Sequence, residues 1–503
     1  MIAKIHSAIP CGFIGRLVEV EGDMNRGLPA FNIVGMANKT VNEAKERVRS
    51  ALTNSGFVFP SKKVTINLAP AELPKDGAYL DLPIALSVLL MSGQIIKSDV
   101  TKKLFVGELS LDGELRPVRG IINVVEAAKK AGFKDVYVPL KNLSQASLVT
   151  DINIYGVNRL QELFLALKNQ VKLPLSGGEL SYGTSNTKNN NVFLDHIRGQ
   201  DVAKRAMMIA VAGHHNILIS GPPGSGKTML AKAAANLLPD LAPEEEVDIT
   251  KIYSIAGLTT DEVVKERPFR FPHHTASIMS IIGGGAMAEP GEISLAHKGI
   301  LFLDEIPEFP RSVLEALRQP LEDKKISISR TSRKTTYPAD FMLVATMNPC
   351  PCGYLGDPTH ECKCTELQIQ NYQKKISGPL LDRIDMYINV EKVDNADLLA
   401  PSSDNSAEHI VVKNTITGAV ERQKARYRQS GIYNSSLSSF QVAKMLEMEP
   451  AAEKLLGQAS KNLNLSARSY FKTIKVARTI ADLDNSNIIL AKHLAEALTY
   501  RKR

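Results

Sequence analysis

Ile217-Leu218-Ile219-Ser220 runs without a break into Gly221-Pro222-Pro223-Gly224-Ser225-Gly226-Lys227-Thr228, and Met229–Leu238 then follows a helical pattern. Apolar strand, glycine-rich turn and helix in that order make a phosphate-binding loop in its required setting. The glycines let backbone N–H groups converge on phosphate oxygens. The N-terminus of the following helix adds partial positive charge at the same point. Lys227 reaches the β- and γ-phosphates of a bound nucleotide, and the Thr228 hydroxyl holds Mg²⁺. A glycine-rich turn that binds nothing is the alternative, and the strand-to-helix context argues against it. From Leu194 to about Val393 the sequence alternates strand and helix signals, which implies a parallel sheet.

Such a loop needs an acidic partner. Gly299-Ile300-Leu301-Phe302-Leu303-Asp304-Glu305 supplies it: four apolar residues read as a central strand with two carboxylates at its C-terminal end. Asp304 is placed to coordinate Mg²⁺ and Glu305 to polarise the attacking water; a pair that merely starts a loop and cap is the alternative. Phe341-Met342-Leu343-Val344-Ala345-Thr346 reads as a third strand, and Asn348 beyond it is expected to reach the γ-phosphate from the side, an Asn that merely terminates the strand before Pro349 being the alternative. The expected catalytic set therefore includes Lys227, Glu305 and Asn348.

The remaining chain must build a scaffold around this site. At roughly 100–200 residues per domain, 503 residues make three or four domains. With 44% apolar and 23% charged residues the chain is globular. Sixty-one Lys and Arg against 53 Asp and Glu give +8, which permits a polyanionic partner without demanding one. Five cysteines are too few, and odd in number, for a secreted disulfide scaffold. No apolar run reaches the ~18–20 residues of a membrane span, and the N-terminus lacks the apolar core of a secretory signal. A cytoplasmic protein without a membrane partner is expected.

Residues 1–172 read as mixed α/β, with strands at Val64–Leu68 and Asp135–Val138 and helices at Val41–Asn54 and Asn123–Ala131. Residues 173–193 are rich in Gly, Ser, Thr and Asn and read as a flexible linker. Residues 194–395 alternate strand and helix signals. A polar stretch then leads into a helical region, so 396–503 is expected as a helical lid. Within it, Leu465-Ser466-Ala467-Arg468 opens a helix with Ser466 as N-cap.

The glycine-rich loop, the Asp-Glu strand and the polar strand end together resemble the AAA+ ATPases. Arg267–Thr275, Gly283-Gly284-Gly285 and Pro290–His297 are similar to the magnesium-chelatase-like branch, and within it to the YifB/ComM group, over nearly the whole chain. The resemblance implies an insertion before the Asp-Glu strand, mapping loosely to Ala276–Met287. It implies that Arg383, in Leu380-Leu381-Asp382-Arg383-Ile384-Asp385, is an arginine finger delivered to a neighbour's nucleotide. An intrachain ion pair with Asp382 or Asp385 is the bland alternative. It further implies that Arg468 senses the γ-phosphate from the lid; a solvated helix face is the alternative there.

The N-terminal domain resembles the proteolytic domain of Lon, through Leu73-Pro74-Lys75-Asp76-Gly77, Gly107–Gly113 and Ala127–Gly132. The Ser and Lys of that family fall here on Tyr79 and Ile122, which cannot form a hydroxyl–amine dyad. A fold relic without peptidase activity is expected.

Four of the five cysteines lie in Cys350-Pro351-Cys352 and Cys362-Lys363-Cys364, separated by a turn-rich segment. Four thiolates on one loop suit a closed tetrahedral Zn²⁺ site. Unliganded thiols and redox pairs stay open as alternatives. For His273 and His274, hydrogen bonding within their loop is favoured over metal ligation. Arg422, Lys424, Arg426 and Arg428 form two i,i+4 stripes on a helix rather than one patch. The case for DNA, single-stranded or branched, comes mainly from resemblance to the hexameric helicases of the YifB/ComM group. The expectation is a Mg²⁺-dependent, ring-forming (homo-hexameric) ATPase with helicase or branch-migration activity. The rivals are a chelatase-type or protein-remodelling ATPase, and a scaffold that binds ATP without turnover.

Overall fold

A computed structural model describes residues 2–35, 39–75, 77–176, 192–285, 288–330, 333–357, 360–392, 407–429 and 431–501. Most of the expected linker, most of the polar stretch before the lid, Asp76 and the end of the 276–287 insertion lie outside those residues. The chain divides into two compact units. One comprises Met1–Asn186, Pro243–Val264 and Ser329–Tyr337; the other comprises Thr187–Ala242, Lys265–Ile328 and Pro338–Arg503.

The first unit is built on a seven-stranded mixed sheet. Its strands are β1 (Ala3–Cys11), β2 (Ile14–Asn25), β3 (Ala30–Val34), β4 (Lys63–Ala69), β5 (Lys103–Phe105), β6 (Asp135–Pro139) and β7 (Asn153–Val157), in spatial order β3-β4-β2-β1-β5-β6-β7. β1 and β2 form a hairpin running from Ala3↔Gly22 to Cys11↔Ile14. Helices α1 (Lys39–Asn54), α2 (Asp81–Met91) and α3 (Ile121–Lys130) belong to the same unit. The sequence of α2 is apolar on every side apart from Asp81 and Ser87, so it becomes a wholly buried helix rather than an amphipathic one. α3 is amphipathic, with Ile121, Ile122, Val124 and Val125 fully buried. No helix of the described residues is long and apolar enough to cross a membrane.

The second unit holds an all-parallel five-stranded sheet of β8 (Ile217–Ser220), β9 (Phe269–Arg270), β10 (Ile300–Leu303), β11 (Met342–Met347) and β12 (Met386–Asn389). Its order is β9-β10-β11-β8-β12. The register pairs Ile217 with both Val344 and Met386, so β8 sits between β11 and β12. Ile300, Leu301, Phe302 and Leu303 are all fully buried. At about 1.5–3 kcal/mol per buried large apolar side chain, that strand is a fixed platform for whatever follows it. Around the sheet lie α4 (Asp201–Gly213), α5 (Lys227–Leu237), the short α6 (Arg318–Asp323), and the C-terminal helices α7 (Ala407–Tyr427), α8 (Ala467–Leu483) and α9 (Ala491–Thr499). One hydrophobic cluster runs from Leu194 through the sheet to Tyr500, so the C-terminal helices share the core of the sheet.

The mixed α/β reading and the C-terminal helical region hold. The strands expected at Val64–Leu68 and Asp135–Val138 are each slightly longer, and the helix after the glycine loop starts at Lys227. Ser466 caps α8 as expected, its side chain accepting from Ser469 N at 3.2 Å.

Candidate functional site

The loop 221–226 leaves β8 and delivers Lys227 as the first residue of α5. At its base, a Cβ on Gly221 would lie 2.4 Å from the Val390 carbonyl oxygen, so only glycine fits. Gly224 and Gly226 have φ of 78° and 81°, and a Cβ at either would meet nothing within 4 Å. The loop is therefore closely held at its root and open where a ligand would lie. Ser225 Oγ donates to Pro222 O at 2.9 Å and closes the turn.

Lys227 is buried, and its Nζ donates to Gly221 O and Pro222 O, both at 2.8 Å, and to Asn348 Oδ1 at 3.4 Å. Burial lowers its pKa from the ordinary lysine value, while Asp304 and Glu305 work against that shift. An ammonium held by carbonyl and amide oxygens, with no direct carboxylate partner among the described residues, suits an arriving anion.

Asp304 and Glu305 leave the end of β10 as the sequence places them. Thr228 Oγ1 donates to Asp304 Oδ2 at 3.3 Å. The other oxygen, Oδ1, accepts from the hydroxyl of Thr346. Thr346 is fully buried and also accepts the Glu305 N–H at 3.0 Å. One hydroxyl thus fixes both acidic residues. Glu305 stands at φ 51°, in the left-handed region, with an exposed side chain. A non-glycine residue in that region is a local strain of the kind that collects at working sites. Thr228 and Asp304 present hard oxygen donors of the type Mg²⁺ prefers. Asn348 lies one residue beyond the end of β11.

Arg383 and Arg468 lie apart from the loop's hydrogen bonds and converge on one carboxylate. Arg468 Nη2 donates to Glu322 Oε1 at 3.1 Å, and Arg383 Nη2 pairs with Glu322 Oε2. Arg383 Nη1 also donates to Pro379 O at 2.7 Å, and its Nε is buried without a partner among the described residues. Its ion pair is with Glu322 on α6, not with Asp382 or Asp385. Neither Glu322 nor Thr346 was anticipated from sequence. Thr346 carries a legible signal, a hydroxyl inside an otherwise apolar strand; Glu322 carries none.

The four clustered cysteines meet in space. The Sγ atoms of Cys350, Cys352, Cys362 and Cys364 lie within 4.8 Å of one another. Cys350–Cys352 is 3.4 Å, and Cys350–Cys362 and Cys352–Cys362 are each 3.6 Å. Four Zn–S bonds of about 2.3 Å in a tetrahedron require S···S edges of about 3.8 Å; the three edges among Cys350, Cys352 and Cys362 are close to that, and the set is compatible with such a site. The Tyr354 backbone hydrogen bond draws the Cys352 thiol down to about 6. Gly353, at φ 86°, rests on the phosphate loop: a Cβ there would be 2.7 Å from Pro223 Cδ.

His273 Nδ1 lies 2.8 Å from Thr275 Oγ1 and accepts the Thr275 N–H at 3.3 Å, a loop role. The basic stripes on α7 divide. Arg422 donates to Asp482 O at 2.7 Å and Arg426 pairs with the Asp482 carboxylate, while Lys424 and Arg428 are exposed. In the first unit, Ile122 is fully buried and Tyr79 packs beside the core.

Three family models cover most of the chain: subunit ChlI of Mg-chelatase over residues 20–142, magnesium chelatase subunit ChlI over 193–398, and its C-terminal part over 406–501. The competence protein ComM of Haemophilus influenzae is 42% identical over 506 residues, covering 99% of this chain and 97% of that protein. YifB of Escherichia coli is 40% identical over 504 residues, covering 99% and 97%. The magnesium-chelatase 67 kDa subunit of Chlorobaculum parvum is 27% identical over 157 residues, covering 30% of this chain and 23% of that subunit.

Proposed function

The chain belongs to the ComM/YifB branch of the magnesium-chelatase-like AAA+ family, and from that membership we propose that it is a Mg²⁺-dependent ATPase ring that moves DNA. The observation that carries the ATPase reading is the array built by Lys227, Thr228, Asp304, Glu305 and Thr346 around an open glycine loop. The loop's N–H groups and Lys227 bind the triphosphate. Thr228 and Asp304 would hold Mg²⁺, which would supply neutralisation of charge on the phosphoryl oxygens. Glu305, pinned through its own N–H, orients and polarises water, and Asn348 sits beside Lys227 to report the γ-phosphate. Arg383 is the finger that serves the adjacent subunit, and Arg468 contacts the subunit's own nucleotide. Release of both from Glu322 is then part of assembly. The ring reading predicts a homo-hexamer.

Movement of single-stranded or branched DNA, and a part in the uptake or recombination of transforming DNA, rest on the relation to the competence protein ComM. The cysteine set is assigned to one structural Zn²⁺, supported by four sulfurs gathered within 4.8 Å, three of them 3.4–3.6 Å apart. The first unit is assigned to assembly or substrate handling, without peptidase activity.

The test is steady-state ATPase with and without single-stranded, duplex and forked DNA, beside native mass with and without ATP. DNA-stimulated turnover in a hexamer supports the motor. Turnover that ignores every DNA overturns the DNA reading and favours a protein client.

A further inference from the structure

The segment that carries Arg383 is held in an uncommon way: three successive carbonyl groups are each taken by a side chain from elsewhere. Lys472 Nζ donates to Asp382 O and, at 2.8 Å, to Ile384 O. Asn216 Nδ2 donates to Arg383 O at 3.0 Å. Asn216 adds main-chain bonds, its N–H to Asp385 Oδ2 at 3.0 Å and its carbonyl accepting the Asp385 N–H at 2.8 Å. With consecutive peptide planes fixed from both sides, the direction in which the Arg383 side chain leaves the backbone is fixed too.

The two holders are not neutral places in the fold. Asn216 is the residue before β8, the strand that leads into the candidate phosphate loop, and its Oδ1 accepts the Leu343 N–H at 2.8 Å on β11, the strand that ends one residue before Asn348. Lys472 lies on α8 one turn after Arg468. It is mostly buried, and burial lowers its pKa from the ordinary lysine value. Asp385, 3.6 Å from Lys472 Nζ, faces this lysine, the Asn216 N–H and His215, whose other ring nitrogen lies 2.8 Å from Thr479 on the same helix. Burial alone would push the Asp385 carboxyl up, but Lys472 and His215 hold it down at about 2.

We propose that Lys472 and Asn216 are positioning residues that aim Arg383 and couple it to the subunit's own nucleotide site. Lys472 carries the position of the Arg468 helix to the finger, and Asn216 carries the position of the phosphate-loop and Asn348 strands. Nucleotide bound in one subunit thereby sets the finger that the same subunit offers to its neighbour. The inference rests on the reading of Arg383 as that finger.

The experiment compares Lys472→Met, Lys472→Arg, Arg383→Ala and the double variant Arg383→Ala/Lys472→Met in the full chain. It measures kcat, KM, affinity for a fluorescent ATP analogue and thermal unfolding. A misaimed group costs about 10- to 100-fold in rate. Lys472→Met is therefore expected to lose about that much kcat with KM and analogue affinity unchanged. Lys472→Arg is expected to recover most of it, and the double variant to be no slower than Arg383→Ala. Unchanged kcat in Lys472→Met, beside a collapsed Arg383→Ala, overturns the inference and leaves the finger standing. So does a Lys472→Met loss that multiplies fully onto that of Arg383→Ala. A harmless Arg383→Ala overturns the finger itself. Should Lys472→Met fail to assemble, Lys472→Gln, whose donor reaches one carbonyl, is expected to give an intermediate kcat; wild-type kcat there overturns the inference.

Discussion

Two buried lysines, one in each unit, solve the same problem in opposite ways. Lys75 of the first unit is almost fully enclosed and donates to Gly35 O at 3.2 Å, Leu68 O at 2.9 Å and Pro70 O. Lys227 of the second unit also donates to backbone carbonyls, two in its own loop. Burial lowers the pKa of both. The difference is what surrounds them. Among the described residues no carboxylate offsets the burial of Lys75, whereas Lys227 lies in the field of Asp304 and Glu305 beside glycines with open space. A lysine sealed by three carbonyls holds segments together. A lysine held provisionally, next to a cradle and an acid pair, is set to exchange its partners for a ligand. Burial and hydrogen bonding alone do not separate structure from function; open space and a nearby opposing charge do.

The first way to break this comparison is to remove each charge. Lys227→Ala should lower ATP turnover by about 100- to 1,000-fold, as loss of a preorganised charge at a reacting centre does. It should leave thermal unfolding nearly unchanged, by ATPase assay beside calorimetry. Lys75→Met should do the reverse. It leaves buried carbonyls unsatisfied at about 1–3 kcal/mol each, so denaturant unfolding should show a loss of about 3 kcal/mol with ATP affinity per folded chain retained. Equal losses of nucleotide affinity in both variants would erase the distinction.

A milder test uses the loop that leans on the cradle. Gly353→Ala forces a β-carbon against Pro223 at a left-handed backbone position, a strain of about 1–2 kcal/mol. It should raise KM for ATP by a few-fold without changing the Zn content measured by atomic emission. Loss of metal with unchanged KM would mean that this loop does not brace the nucleotide site.

The arrangement of the candidate nucleotide site was legible in sequence because its parts are local. A strand, a glycine loop and a helix are contiguous, and Asp304-Glu305 and Asn348 each follow an apolar run that forces them to a strand end. The cysteine set was legible for the same reason, two close pairs on one loop. What escaped were partners set by long-range packing. Glu322 reaches Arg383 and Arg468 across 61 and 146 residues of chain. Asn216 reaches Arg383 across 167. Pattern reading on α7 gave two equivalent stripes, yet Asp482, 56 to 60 residues on, takes up Arg422 and Arg426 and leaves the other stripe exposed. No periodicity encodes such choices; they follow from which elements the core brings face to face.

The most direct measurement is the nucleotide content and turnover of Glu305→Gln in Mg²⁺. The substitution keeps size and removes the group that polarises water, a contribution of about 10²–10⁴-fold in rate. The account predicts protein that binds ATP at wild-type affinity and retains it uncleaved, with turnover near background. Wild-type hydrolysis by Glu305→Gln, or no bound nucleotide in either protein, would contradict it.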